Sequence, residues 1–126
     1  MNDKDTTIQQ LKDLTEKFRA ERNWGKHHSP KNLAISIAVE AAELLEHFQW
    51  DSYKDNKNNQ KEIEKELADI IIYCLFFASS SNVDVAKAVE EKLRHSSQKY
   101  PVHIFNKKRD DSKDYYKIKK EYRRKQ

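Results

Sequence analysis

Four carboxylates stand in two matched pairs along this chain, Glu40-x-x-Glu43 and Glu66-x-x-Asp69. A spacing of three puts the members of each pair on one face wherever the chain is helical. Glu46 and Glu62 extend the two rows. Counting about 100° per residue, Glu40 falls with the stripe Leu33, Ile37, Leu44 and Phe48, while Glu66 and Asp69 fall in an arc with Tyr73, Phe76 and Phe77. Acids placed beside apolar side chains are in conflict with one another, because two carboxylates about 6 Å apart repel by roughly 3 kcal/mol at an effective dielectric of about 20, before desolvation. They must protonate, pair with a base or share a cation. Lys65 and His47 are the nearest bases, which favours the cation. Ligation by carboxylate oxygens alone selects a hard ion, and Mg²⁺ is the usual one when a phosphate completes the shell.

The blander readings of the same residues carry less. One acidic pair in a chain with 21 acids is an ordinary solvated helix face. Two pairs on neighbouring helices, each inside apolar sequence, are not. A di-iron bundle needs Glu-x-x-His on two helices, and the chain offers only Glu43-x-x-x-His47. A single Gly rules out a glycine-rich phosphate loop. His27 and His28 have no Ser or Cys elbow to serve and read as polar loop residues.

Four helices must position these acids. Ile8, Leu11, Leu14 and Phe18 form one helical stripe within a first helix from Asp5 to about Arg22. Ser29-Pro30 supplies a cap and a first-turn proline for a second helix that runs to about Phe48. The polar stretch 51–60 reads as a mobile connection. A third helix runs from near Lys61 to near Ser79, and a fourth, capped by Asp84, stops before Pro101. With one Gly and two Pro among 126 residues, the composition points to an all-α fold, here a four-helix bundle in one domain over 1–104. The run 70–78 is apolar on every face of the third helix, and a helix apolar all round is buried all round. One four-helix chain cannot cover it, so the expectation is oligomerisation through apolar helix faces, as a homodimer or homotetramer.

Charge divides the chain unevenly. Residues 107–126 hold ten Lys/Arg against four Asp/Glu, a local +6, whereas the rest sums to −2. We read 105–126 as a basic C-terminal tail, solvated or a frayed helix. With few aromatics beside the charges, its signal for nucleic acid is weak and such a partner is not expected. The apolar run is too short for the roughly twenty residues of a membrane span, and the polar N-terminus lacks a signal-peptide core. Cys74, the single cysteine, sits in that run and is expected to be a buried thiol in the cytoplasm.

The surrounding residues resemble a known family. Phe18-Arg19-x-Glu21-Arg22-x-Trp24, Asn32-Leu33-Ala34, Glu40-x-x-Glu43-Leu44-x-Glu46-x-Phe48-Gln49-Trp50, Glu66-x-x-Asp69-x-x-Ile72-Tyr73 and Lys99-Tyr100-Pro101 are similar to the MazG-like all-α nucleotide pyrophosphohydrolases, in their dCTP pyrophosphatase branch. The resemblance covers residues 10–102. It implies that Glu40, Glu43, Glu66 and Asp69 hold Mg²⁺ against a deoxynucleoside triphosphate, with one helix-two acid polarising the attacking water. The products are a monophosphate and pyrophosphate. It implies further that Trp24 and Trp50 enclose the base, that Tyr73 joins them at the substrate, and that Lys92, Lys99 and Tyr100 serve the phosphates. Ser96 stands where the family commonly has Asn, a shorter side chain with no amide. Val39 and Ala42 replace glycines of close relatives, which we read as packing. The expected substrate is dCTP or a modified dCTP, and the expected role is nucleotide-pool sanitation. The competing reading is a non-catalytic helical module that binds nucleotide or nucleic acid.

Overall fold

The computed structural model describes residues 1–50, 60–106 and 110–126. These are helical with no strand among the described residues, as the composition requires. The chain forms two compact units, Met1–Asp84 and Val85–Gln126.

The first unit holds α1 (Ile8–Glu21), a 3-10 turn (Trp24–His27), α2 (Pro30–Glu46) and α3 (Gln60–Ser80). Local chemistry fixes each end. Thr7 accepts from the Gln10 amide while the Gln10 side chain accepts from the Thr7 amide, a reciprocal capping box. Ser29 Oγ accepts from the Asn32 amide at 3.2 Å, with Pro30 in the first turn as expected. At the far end of α3, Asn82 takes a left-handed φ of 52°, which asparagine tolerates. The Val83 amide then donates to Ala78 O at 2.8 Å and the Asn82 amide to Ser79 O at 3.3 Å, the two bonds of a Schellman stop. Lys12 Nζ donates to Val83 O at 2.8 Å and ties α1 to this corner. The expected connection over 51–60 lies outside the described residues except for Gln60, which opens α3.

The core is small. α3 packs chiefly against α2 and less against α1, and full burial is reached at Leu33, Leu75, Phe76 and Ala78, with Thr15 beside them. Leu14 and Phe18 of α1 and Leu67 and Ile71 of α3 remain exposed. An apolar groove of about 500 Å³ opens between α1 and α3, lined by Leu11, Leu14, Phe18, Ile71, Ile72 and Leu75 among others. Cys74, expected to be buried, is exposed, because α3 turns that side away from α1 and α2. Partial burial still pushes its thiol pKa up.

The second unit holds α4 (Val85–Lys99), α5 (Val102–Phe105) and α6 (Ser112–Arg124). The expected tail is thus helical over most of its length. Its aromatic residues fold it back: Tyr115 stacks on Tyr100 at 5.4 Å, His95 meets the Tyr122 ring at 5.9 Å, and the Lys99 ammonium lies 4.7 Å from that ring. Tyr115, Ile118 and Tyr122, at steps of three and four, form a helical stripe that the charge count had overshadowed.

Candidate metal centre and substrate site

α2 and α3 bring three of the four sequence-chosen acids together. One carboxylate oxygen each from Glu40, Glu43 and Glu66 lies within 4.8 Å of the others. Glu40 and Glu66 are half-buried, whereas Glu43 and Asp69 are exposed, so the acids line the rim of the helix seam rather than being buried in it. Burial first, then the charges of Glu43, Asp69 and Glu66, push the Glu40 carboxyl above the ordinary glutamate range. Asp69 is therefore within electrostatic reach although it stands outside the three-oxygen cluster. On the other flank, His47 Nε2 lies 3.9 Å from Glu66 Oε1.

The donor set fits a hard divalent cation. Three convergent carboxylates with all-oxygen chemistry are what such an ion takes, and Glu40, Glu43 and Glu66 would hold it. An ion would also remove the mutual repulsion that raises the Glu40 pKa.

The expected substrate residues are placed unevenly. Trp24, half-exposed in the 3-10 turn, meets Phe18 edge-on at 5.5 Å and His28 at 6.2 Å. Tyr73 meets His28 at 6.3 Å and Phe76 at 6.0 Å. These rings form one aromatic wall, whereas Trp50, just beyond α2, is 87% exposed and is not brought to it within this chain. Val39 and Ala42 are exposed. Lys92, Ser96, Lys99 and Tyr100 belong to the second unit. There Lys92 is exposed, Ser96 O accepts from the Tyr100 amide at 2.8 Å, and Lys99 sits between the rings of Tyr100 and Tyr122.

Sequence reasoning missed two residues in this wall. His28, read as a polar loop residue, packs its ring 5.2 Å from Phe76, and its buried Nδ1 has no hydrogen-bond partner among the described residues. Burial, then Arg19 and His27, depress its pKa, opposed by Glu16. The Ser29-Pro30 cap immediately after it was the available signal, since a fixed helix start fixes the residue before it. Arg19 donates to Ser80 Oγ at 2.8 Å, pairs with Glu16 and lies 5.4 Å from the Phe76 ring centre, bracing α1 against the end of α3.

Fold and site together define an all-α protein with an interhelical carboxylate centre. The chain belongs to the MazG-like family, whose model matches residues 35–118 and so reaches into α6. It is 34% identical over 104 residues to dCTP pyrophosphatase 1 of Rattus norvegicus, covering 78% of this chain and 61% of that protein. To dCTP pyrophosphatase 1 of Homo sapiens it is 31% identical over 104 residues, with coverage of 78% and 61%. A crystal structure of a pyrophosphatase from Archaeoglobus fulgidus matches with a TM-score of 0.70 at 40% identity, over 75% of this chain and 92% of that one. The chain spans about 61% of the length of the curated relatives it matches.

Proposed function

We propose that this protein is an Mg²⁺-dependent nucleotide pyrophosphohydrolase that converts a deoxynucleoside triphosphate, dCTP or a modified dCTP, to its monophosphate and pyrophosphate. The observation that carries this reading is the convergence of Glu40, Glu43 and Glu66 across two helices. Membership of the MazG-like family, with relatives named dCTP pyrophosphatase 1, supports it.

In this reading Glu40, Glu43, Glu66 and Asp69 hold the ion, which when bound neutralises phosphate charge and helps to align the triphosphate. One of the two acids on α2, Glu40 or Glu43, takes the proton of the attacking water. Trp24, Trp50 and Tyr73 offer flat faces to the base, and Lys92, Ser96, Lys99 and Tyr100 serve the phosphate tail. The catalytic domain is assigned to 1–104, with 105–126 an appended basic segment. The exposed groove of α1 and α3 is covered by a second copy in a dimer or tetramer, and the enzyme works on the cytoplasmic nucleotide pool. No single helix among the described residues is long and apolar enough to cross a membrane.

The test is to incubate the purified protein with each dNTP, with and without Mg²⁺, and to separate the products. Pyrophosphate and monophosphate appearing only with the metal, fastest from a deoxycytidine nucleotide, is the expected result. Orthophosphate as product, or no turnover of any nucleotide, rules the proposal out and leaves the non-catalytic module.

A further inference from the structure

The second unit carries a surface that the proposed chemistry does not use. The inward face of α6 is spent on Tyr115 and Tyr122, and the Lys119 ammonium lies 5.5 Å from the Tyr115 ring centre. On the opposite face stand Lys113, Lys117, Lys120 and Arg124, at steps of four, three and four. At about 100° per residue they fall within an arc of about 60°, and at about 1.5 Å per residue they span about 17 Å along the axis. All four are exposed. Among the described residues none of them forms an ion pair. The two acids of α6, Asp114 and Glu121, lie together on one flank of this row, three and four residues from Lys117, and leave Lys113, Lys120 and Arg124 as its open face. Like charges three and four apart repel.

We propose that this face of α6 binds the phosphate backbone of double-stranded nucleic acid, independently of base sequence. A row of cations along a rigid rod matches a ligand that repeats its negative charge along an axis, and neutralising those phosphates releases condensed counterions. Two other polyanions fit less well. A helix that lies on an anionic membrane sinks an apolar face into the headgroups, but here that face is packed on Tyr100 and His95. A single-strand binder stacks bases on exposed rings, yet of the α6 tyrosines Tyr115 is already stacked on Tyr100 and only Tyr116 presents most of its ring to solvent. The scarcity of free rings, which weakens the sequence signal for nucleic acid, bears on base readout and not on backbone contact. This inference does not depend on the proposed hydrolase activity.

The experiment is fluorescence anisotropy with the full chain and a labelled 20-base-pair DNA duplex of arbitrary sequence, over a series of KCl concentrations. Expected are binding that excess dCTP does not displace and a slope of log K against log salt of about −3.6, for four phosphates. The combined variant K113Q/K117Q/K120Q/R124Q should bind more than tenfold more weakly while its helical circular dichroism and its nucleotide turnover match the parent. If the combined variant loses helicity, K117Q/K120Q is measured instead and should reduce the slope by about 1.8. The proposal is overturned by no duplex binding at 50 mM salt, by binding that the substitutions leave unchanged, or by capture on phosphatidylserine vesicles without affinity for the duplex.

Discussion

His47 Nε2 approaches Glu66 Oε1 to 3.9 Å across the seam between α2 and α3, with both side chains about one-fifth exposed. The imidazole stands behind a proposed ligand, where groups of this kind set the orientation of the carboxylate. His47→Ala should therefore weaken Mg²⁺ activation about tenfold while kcat at saturating metal changes less. Titrating activity against Mg²⁺ for both proteins checks this, and equal metal dependence would assign His47 to packing alone.

Glu66→Gln keeps the shape of the side chain and deletes its charge. Turnover should fall by more than about a hundredfold, since a ligand is lost from the centre. The melting temperature should change by less than about 3 °C, because the substitution also relieves repulsion among the acids. Pyrophosphate release and a thermal melt on the same sample separate the two effects, and parallel losses would mark a structural acid.

The metal-free protein should be strained at Glu40. Its folded pKa is raised, chiefly by burial and then by Glu43, Asp69 and Glu66, so the folded state holds that proton to higher pH than the unfolded chain. Stability in EDTA should consequently fall as pH rises through the raised value. Glu40→Gln should raise the melting temperature at pH 7 without metal. Mg²⁺ should stabilise the parent more than the variant, because binding to the folded state alone shifts the equilibrium. Melts with and without Mg²⁺ test both statements.

His28 acts in the opposite sense. Burial, Arg19 and His27 hold its pKa below the ordinary value of 6.5, so the unfolded chain binds more protons there as the pH falls below about 6.5. Stability should be intact above that value and decline toward the depressed folded pKa. His28→Phe keeps a ring against Phe76 and removes the titration. Urea unfolding at pH 7.5 and 5.5 should then show a smaller difference for the variant than for the parent.

Ile71 is 45% exposed on the groove between α1 and α3. If a second copy covers that face, Ile71→Glu buries a charge at the contact and should shift sedimentation to the monomer with helicity retained. An unchanged sedimentation coefficient would remove this face from the assembly.

Much of this molecule was legible as spacing. Ser29-Pro30 and the Ser79-to-Asn82 break set the ends of α2 and α3, and the i, i+3 acids chose the faces that meet, because helical angle follows directly from residue number. The motifs from Phe18 to Pro101 carried the family. Spacing could not grade exposure. The angles that put Asp69 among aromatic rings say nothing of whether another helix covers that arc, and in this chain it is exposed. Nor could they foresee that His28 enters the aromatic wall, since a loop residue has no period.

The sequence by itself determined the first four long helices, the four acids and their two faces, because capping and periodicity are local and each needs only a few neighbouring residues. Tertiary structure alone decided that Glu40, Glu43 and Glu66 converge while Trp50 stands in solvent, and that the basic end of the chain packs Tyr115 and Tyr122 on its own unit while Lys113, Lys117, Lys120 and Arg124 stay exposed. Those outcomes depend on contacts between residues far apart in the chain, which local patterns constrain but do not choose.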